Sequence, residues 1–499
     1  MRIHRSIGLV MAGLGLAATA LVSPAFGDTS PVGIASAGIV ADSTKPLPIT
    51  AQDRLYTADQ SSNTVTVIDP STDKTLGTIA LGSQRVGATL SPQYLGDVGV
   101  HGLAFSPVTR RLAVVSVTSN TVDIVDTTTN KVLSKTDVGR AAHEGSFTAD
   151  GKEFWVADRG RDTVSVVDAL NGGLKADVVV GAGPSKVVMS PDGRFAYVNH
   201  IALAEITVVD TASRRVVDHI TGLGDVFSSD QAISPDGAEL WAAHKRVGKV
   251  SVIDLRQRKV THVLSTGPDT NHPQFADTPS GKFVYLTIGG LDQTLVFRRG
   301  DRPELLQRIA NHGHAPHGVW PSGDGSRVYV GLEKSDKVDV IDTSTQRVVA
   351  TISGGQEPQA VVYAPRAASP GPAMNLGRQG LGQQPRNVPT TLPDGRAGET
   401  LDPVHGRTLE ATVRPVAGVD MIQLQARGLE AATTYQAYSV DQTGRRTALL
   451  TFSTDAAGNA PMVLAFSSFT GQRVSIESRG QASAAAMAAT MALAGCCCC

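Results

Sequence analysis

Hydrophobic and polar residues repeat one short pattern through roughly the first 360 positions of the chain. Runs of β-branched residues that mostly end in Asp return about every 42 to 44 residues, and turn-forming residues bound each run. Short runs of this composition are typical of β-strands. The complete runs are Thr64–Asp69, Thr121–Asp126, Thr163–Asp168, Ile206–Asp210, Val250–Asp254 and Val338–Asp342, and a degenerate copy is Thr294–Arg298. The longer step between the first two runs predicts an insertion near Ser83 to Val98.

Each run has the same kinds of neighbours. A turn such as Ser190–Gly193 lies upstream, where Pro sets φ and Gly supplies the positive φ of a tight hairpin. An aromatic strand such as Phe195–Val198 follows this turn, and a fourth strand such as Val348–Ile352 lies downstream of the run. Four strands in a period of about 42 residues predict one blade of a β-propeller.

Counting the strands predicts how the ring closes. The first unit, Arg54–Leu81, has three strands and lacks the innermost one, whereas a lone strand, Gln359–Tyr363, follows the last complete unit. We expect this strand to complete the first blade, which gives an all-β, seven-bladed propeller over residues 53–365 with no free strand edge at the closure. The alternative is an open stack of six blades with exposed edges.

The remainder of the chain divides by composition. Residues 366–399 are rich in Pro, Gly, Gln and Arg, which is typical of a flexible linker, and residues 400–479 contain about seven short strand patterns, which predict a small β-sandwich accessory domain. Residues 480–499 form an Ala-rich tail that ends in four adjacent Cys. Intermolecular disulfides, capture of a soft metal and an unstructured end are the alternatives for this tail.

The N-terminus has the pattern of an export signal. Arg2 and Arg5 precede the apolar stretch Ile7–Val22, and small residues follow it, so residues 1–27 are interpreted as a signal peptide and residues 28–52 as an N-terminal extension. The apolar stretch is shorter than the roughly 20 residues of a membrane span. We therefore expect a periplasmic or extracellular protein without a transmembrane span.

Charge and cysteine content exclude several classes of function. The chain has 45 Lys and Arg against 46 Asp and Glu, so it lacks the cationic surface that nucleic-acid binding requires. All four cysteines are Cys496–Cys499, which excludes a cysteine nucleophile or a cysteine-ligated metal in the body of the protein. The Gly-rich segment Gly181–Lys186 lacks the spacing of a phosphate-binding loop and is interpreted as a turn between blades.

The segments Tyr197–Asn199 and Tyr329–Gly331, with the neighbouring Ser-Pro-Asp-Gly and Thr-Val-Ser-Val-Val-Asp motifs, resemble the YVTN-type β-propeller repeat. The resemblance covers about two-thirds of the chain and implies a seven-bladed propeller. Proteins with this kind of repeat and fold include extracytoplasmic surface and binding proteins, the haem-d domain of nitrite reductases with its biosynthetic relatives, and sugar-lactone hydrolases. The resemblance therefore implies a fold and leaves the activity open.

Histidine placement is the main indication of a site. The residues eight positions before and seven after each hairpin Gly are expected to face each other, which pairs His101 with Ser116, His143 with Asp158, Ser185 with His200, Ser229 with His244 and His317 with Leu332. This register brings most histidines of the propeller to one end of the channel, where Asp59 and Glu144 are expected to join them. The candidate ligand-binding residues are His101, His143, Asp158, His200, His244, His272 and His317.

Three interpretations of this histidine-rich end remain open. It is a polar rim, a site for a divalent transition metal or a tetrapyrrole, or a substrate site in which a histidine acts as a general base. The metal ligands would be His143, His200, His244 and His317. Because no catalytic constellation is evident, we expect an exported binding or scaffold protein with a protein or small-molecule ligand at this face. The alternatives are a metal- or tetrapyrrole-binding redox or biosynthetic propeller and a lactonase- or lyase-type enzyme.

Overall fold

The computed structural model describes residues 48–83, 98–383, 385–398, 407–416 and 419–481. These residues form thirty-six strands and one short 3-10 helix, Gly289–Leu291, and none of their helices has the length and hydrophobicity of a membrane span. The expected signal peptide, the expected insertion after Ser83 and the cysteine-containing tail lie outside the described residues.

Within the described residues the ring has seven antiparallel blades of four strands each, and a parallel pairing of Lys186 with Glu144 joins blades 3 and 4 into one eight-stranded sheet. Blades 1 and 2 contain β1 (Arg54–Asp59), β2 (Thr64–Asp69), β3 (Lys74–Ala80), β4 (Val100–Ser106), β5 (Arg111–Ser116), β6 (Thr121–Asp126) and β7 (Lys131–Asp137). Blades 3 and 4 contain β8 (Ala142–Phe147), β9 (Glu153–Asp158), β10 (Thr163–Asp168), β11 (Leu174–Val179), β12 (Pro184–Met189), β13 (Phe195–His200), β14 (Glu205–Asp210) and β15 (Arg215–Thr221). Blades 5 and 6 contain β16 (Asp230–Ile233), β17 (Glu239–His244), β18 (Lys249–Asp254), β19 (Lys259–Ser265), β20 (Thr270–Thr278), β21 (Gly281–Ile288), β22 (Gln293–Arg298) and β23 (Glu304–Ala310). Blade 7 contains β24 (Pro316–Pro321), β25 (Arg327–Leu332), β26 (Lys337–Asp342) and β27 (Arg347–Ser353), and β28 (Pro358–Ala364) follows it.

Strand β28 completes the first blade. It pairs antiparallel with β1, with Leu55 opposite Tyr363 and Tyr56 opposite Val362, so the order in this sheet is β28-β1-β2-β3. The expected closed, seven-bladed ring is thereby confirmed.

Burial follows the position of a strand within its blade. The second strands are almost entirely buried, whereas an outermost strand such as Lys259–Ser265 alternates between exposed and half-buried residues, because only one of its faces contacts a neighbouring blade. The spaces between blades are filled by large aromatic side chains: Trp241 of blade 5, which is fully buried, lies 5.3 Å from the Phe297 ring of blade 6. Each blade thus depends on its neighbour for its hydrophobic core.

The C-terminal strands form a β-sandwich, as expected. One sheet has the order β29-β31-β32-β35 and the other β30-β36-β33-β34. Leu409, Ile422, Tyr435 and Phe452 belong to the core between them. The strands are β29 (Arg386–Asn387), β30 (Thr390–Thr391), β31 (Thr408–Val416), β32 (Val419–Arg427), β33 (Thr433–Val440), β34 (Arg446–Ser453), β35 (Ala460–Ser467) and β36 (Arg473–Gln481).

The Pro- and Gly-rich segment after the ring contacts blades 1 and 2. Thr78 and Gly377 exchange backbone hydrogen bonds of 3.0 and 2.8 Å, and Asn375 donates a hydrogen bond of 2.7 Å to the Thr129 carbonyl. Gln379 donates to the carbonyl of Ser62 at 2.6 Å. Composition alone predicted a flexible linker, and these long-range contacts hold its first half against the ring.

The β-sandwich packs directly on the ring through β31 and β32. Arg414, which is fully buried, forms an ion pair with Asp336 of blade 7, and Lys334 lies 2.7 Å from Glu410. Strand β32 adds a hydrogen bond of 3.0 Å from Gln423 to Glu357. The composition of residues 366–399 predicted that a flexible linker separates the sandwich from the ring. In the structure, buried charged and polar groups bind the two domains together.

Closure can be tested at β28. Val362 is 1% exposed in the core of the first blade, whereas Val349 on β27 is 56% exposed. Val362→Asp places a carboxylate without a partner in an apolar core, and we expect it to lower the free energy of unfolding by on the order of 3 kcal/mol or more, measured by chemical denaturation. Val349→Asp is the matched control and should change it by less than about 0.5 kcal/mol. Equal effects of the two substitutions would contradict the closure by β28.

Candidate functional site

The innermost strands carry β-bulges at the point where they enter the channel. Within blade 2 the pairing register shifts between Val100 and Gly102, so Val100 pairs with Ser116 and His101 is the extra residue. Corresponding shifts occur between Ala142 and Gly145 and between Pro316 and Val319. The expected pairing of His101 with Ser116, of His143 with Asp158, of Ser185 with His200 and of His317 with Leu332 is therefore wrong by one residue, because a bulge inserts a residue and re-aims its side chain.

The bulges bring four histidines together, which we call the central histidine cluster: His101, His143, His272 and His317. The ring centroids of His101 and His143 are 4.3 Å apart, those of His272 and His317 4.6 Å, and those of His101 and His317 6.3 Å. All four side chains are buried. The strands approach closely here because glycine follows two of these histidines: a Cβ on Gly102 would lie 2.3 Å from the His143 carbonyl oxygen, and one on Gly318 would lie 2.6 Å from that of Gln359.

Two carboxylates and a lysine lie beside this cluster. The Lys186 ammonium contacts Glu144 at 2.8 Å and Asp230 at 2.7 Å, and all three residues belong to innermost strands. The His272 imidazole lies between the carboxylates, with Nε2 3.7 Å from Glu144 Oε1 and Nδ1 3.6 Å from Asp230 Oδ2. Arg159 contributes a guanidinium that donates to Ser185 Oγ at 2.6 Å.

The environment keeps the imidazoles neutral. Burial lowers the pKa of His101 and of His143 well below the usual range, and the positive charge of Arg159 contributes further to the second. Burial, with the charge of Lys245, lowers the pKa of His317 to about 3. Burial raises the pKa of Asp230 well above its usual value, whereas for Glu144 the charge of Lys186 outweighs burial and lowers the pKa. The site therefore combines neutral imidazoles with two carboxyl groups whose pKa values are shifted in opposite directions.

His200, His244 and Asp158 occupy a different position. Each is the last residue of the second strand of its blade and bonds a hydroxyl seven residues later, within the same blade. The distances are 2.9 Å from His200 to Thr207 Oγ1, 2.7 Å from His244 to Ser251 Oγ and 2.8 Å from Ser165 Oγ to Asp158. Burial lowers the pKa of both histidines and raises that of Asp158 to about 6.

The expected metal-ligand set is therefore not brought together. Of its four members, His143 and His317 belong to the central histidine cluster, whereas both ring nitrogens of His200 are bonded within blade 4 and those of His244 within blade 5. Among the described residues, the groups whose ligand atoms lie within 4.8 Å of one another are His101 with His143 and Glu144, and Glu144 with Asp230 and His272.

A cavity of about 910 Å³, which we call the interdomain cavity, lies between this end of the ring and the β-sandwich. Arg159, Lys245 and Asn271 line it from the ring, and Gln425 and Arg427 line it from the sandwich. A second cavity of about 540 Å³ at the opposite end of the channel is lined in part by Glu144, Lys186 and His272. The residues of the channel centre therefore lie between two cavities.

Charged groups in the interdomain cavity are only partly paired. Asp269 accepts a hydrogen bond of 2.9 Å from Gln425 and forms an ion pair with Arg427. Lys245 and Arg159 line the same cavity and have no ion pair with any described residue. The Oδ1 atom of Asn271 is buried there without a hydrogen-bond partner.

Sequence reasoning missed Lys186, Asp230 and Arg159. Lys186 ends the Gly-rich segment that is interpreted as a turn between blades. A lysine at the start of an otherwise apolar strand is the one sequence feature that could have indicated its role. No pattern indicated Asp230 or Arg159, because their partners come from neighbouring blades.

Comparisons with known proteins agree with this architecture. A family profile described as "Lactonase, 7-bladed beta-propeller" matches residues 27–274, just under half of the chain. The chain is a seven-bladed β-propeller protein. No curated protein sequence matches it, and the YVTN-type repeat remains a resemblance in sequence.

Solved structures with similar folds include three proteins of low sequence identity. A functionally unknown protein from Desulfotomaculum acetoxidans is 11% identical with a TM-score of 0.53, and the alignment covers 62% of this chain and 98% of that one. The periplasmic gluconolactonase PpgL from Pseudomonas aeruginosa is 16% identical with a TM-score of 0.49 and coverages of 62% and 99%. Kuenenia stuttgartiensis hydrazine synthase is 22% identical with a TM-score of 0.48 and coverages of 53% and 89%. At these identities the first supports the fold alone.

Acid should weaken the contact between sandwich and ring at Asp269. Burial works to raise the pKa of Asp269, but the charges of Arg427, Lys245 and Lys334 and the bond from Gln425 outweigh it and lower the pKa to about 2. Because the folded pKa lies below the unfolded value of about 3.9, the contribution to stability is present above about pH 4 and is lost between pH 4 and pH 2.

The side chain of Asp269 is 23% exposed, so solvent reduces the full linkage energy, and we expect a loss of about 1–2 kcal/mol. Unfolding free energies of the protein and of Asp269→Asn between pH 5 and pH 2.5 measure it. The variant should be less stable at pH 5 and should lose less stability on acidification. Parallel pH curves for the two proteins would exclude this contribution.

Proposed function

We propose that this protein is an exported binding protein whose ligand is a small molecule with a carboxylate group, held in the interdomain cavity. Export is proposed from the charged and apolar N-terminal pattern. The observation that carries the proposal is the cavity itself, which is enclosed by two domains and lined by cationic groups without ion-pair partners. Its volume is within the range of about 300–1,000 Å³ that is typical of small-molecule sites.

Charge favours an anionic ligand. Lys245 offers a point charge to this space, and Arg159, whose Nε and Nη2 donate to Ser185 and Ser229, adds a second positive charge that a carboxylate suits. The Arg246 guanidinium lies 4.0 Å from the centre of the Phe227 ring, where it is fixed by a cation–π contact at the cavity wall. Asn271 Oδ1, which is buried at this cavity without a partner, can accept a hydrogen bond from a hydroxyl group of such a ligand.

Binding can be measured directly. We expect gluconate or a related sugar acid to bind in isothermal titration calorimetry, and Lys245→Ala to weaken the binding about tenfold, because a hydrogen bond to a charged group contributes about 1.5–3 kcal/mol. Lys152→Ala is the matched control, since Lys152 is exposed and lies outside the cavity. Absence of binding by a panel of monocarboxylates, dicarboxylates and sugar acids, or equal affinity of both variants, would refute the proposal.

A lactone hydrolase is the second candidate, and the match to the lactonase profile favours it. In such a reaction water adds to the ester carbonyl, the bond between acyl carbon and ring oxygen breaks, and the ring oxygen takes up a proton. The hydroxy acid that forms would carry the carboxylate that Lys245 and Arg159 suit. The proposals therefore share a site and differ in turnover.

Turnover decides between these candidates. For a binding protein we expect no hydrolysis of γ- or δ-lactones of sugar acids above the rate in buffer, followed by acid release at constant pH. Hydrolysis that is lost in His317→Ala and retained in His262→Ala would replace the binding proposal with the enzymatic one. His262 lies on the outer strand β19 and serves as the control.

A further inference from the structure

Three polar atoms in the channel centre are buried without a partner and point to a common region. They are Nε2 of His101, Nε2 of His143 and Oε1 of Glu144. The three side chains are at least nine-tenths buried, and their ligand atoms lie within 4.8 Å of one another. A buried polar atom without a hydrogen bond costs about 1–3 kcal/mol, so three together require an explanation.

Hydrogen bonds at the Nδ1 atoms of the two histidines determine which ring nitrogen carries the proton. The His143 Nδ1 lies 2.9 Å from the Ser185 carbonyl oxygen, and a carbonyl only accepts, so Nδ1 carries the proton and Nε2 offers a lone pair. His101 Nδ1 lies 3.4 Å from Gln60 Oε1, which also only accepts, so Nδ1 of His101 carries the proton and its Nε2 offers a lone pair as well. A ring nitrogen that donates to a carbonyl while the other faces a shared centre is the usual arrangement of a metal-ligating histidine.

The neighbouring acidic group is a poorer candidate. Glu144, Asp230 and His272 also lie close enough to share an ion, but the Lys186 ammonium already occupies the space between the two carboxylates. Lys186 bonds Oε2 of Glu144 and leaves Oε1 toward the histidines. Glu144 thus contacts a lysine through one carboxylate oxygen, and a ligand atom of Glu144 lies within 4.8 Å of those of His101 and His143.

We propose that His101, His143 and Glu144 bind a first-row divalent metal ion with an open coordination position toward the channel. Two imidazoles and one carboxylate form the ligand set of open zinc sites and of mononuclear iron sites. Ligands of one such ion lie about 2.0–2.2 Å from it, so their atoms are at most about 4 Å apart, and small side-chain rotations reach that geometry. His317 lies across the channel from His101 and borders the open position.

This assignment changes the set expected from the sequence. His143 is retained, His101 and Glu144 replace His200 and His244, and His317 becomes a neighbour of the ion. The inference does not depend on the proposed carboxylate ligand, which binds in the interdomain cavity.

The test uses the full-length protein with Cys496–Cys499 changed to Ser, since four thiols would bind soft metals by themselves. Protein treated with a chelator is titrated with Zn²⁺ by calorimetry and with Co²⁺ by visible absorption, which reports the ligands directly. We expect one ion per chain and a rise in Tm on the order of 5 °C at a hundredfold excess over Kd.

Variants identify the ligands. His101→Ala, His143→Gln and Glu144→Gln should each weaken binding at least tenfold and change the Co²⁺ spectrum, whereas His200→Ala and His244→Ala should leave Kd within about twofold. If a ligand variant fails to fold, the Co²⁺ spectrum of the remaining variants still identifies the donor set. Absence of stoichiometric binding, unchanged affinity in the ligand variants, or loss of binding in the His200 or His244 variants instead would overturn the assignment.

Discussion

The antiparallel pairing of β28 with β1 is the interaction on which the rest of this structure depends. It joins the two ends of the ring and uses the backbone groups that β1 would otherwise expose as a strand edge. Closure also makes all seven innermost strands surround one axis. Residues far apart in the sequence, such as His101 and His317, become neighbours only for this reason.

The bulges on the innermost strands add a second constraint. Regular antiparallel pairing would place His101 opposite Ser116 and His143 opposite Asp158. The bulges instead pair Val100 and Ala142 with these residues and re-aim the side chains of the two histidines. Close packing of the strands at this point accounts for the glycines that follow, since Gly102 and Gly318 leave no space for a Cβ. The same burial that suppresses protonation of the histidines leaves their lone pairs available.

The β-sandwich converts an open end of the ring into a cavity. Ion pairs and amide hydrogen bonds from Arg414, Gln425 and Arg427 reach groups on blades 6 and 7, and the charge of Arg427 and the bond from Gln425 help to lower the pKa of Asp269 against the effect of burial. Ion pairs of Arg414 and Arg427 therefore bind the sandwich to the ring at the edge of the cavity, whereas Lys245 in the cavity has no ion pair with a described residue. The second cavity reaches the central histidine cluster at His272, whereas the interdomain cavity is lined by the neighbouring Asn271 and Arg159.

The sequence by itself determined the blades, their number, the closing strand and the β-sandwich. Each follows from local information: β-branched runs, turn residues such as those of Ser190–Gly193, and a period of about 42 residues. It also indicated that histidines gather in the channel, including His101, His143, His272 and His317. It could not determine which of them meet, since a bulge is set by the packing of neighbouring strands and shifts the register by one residue. For the same reason His200 and His244 resembled ligands but bond hydroxyls of their own blades, and Lys186 with Asp230 escaped notice. The docking of the sandwich was decided by tertiary structure alone, because its charged pairs join positions that no local pattern relates.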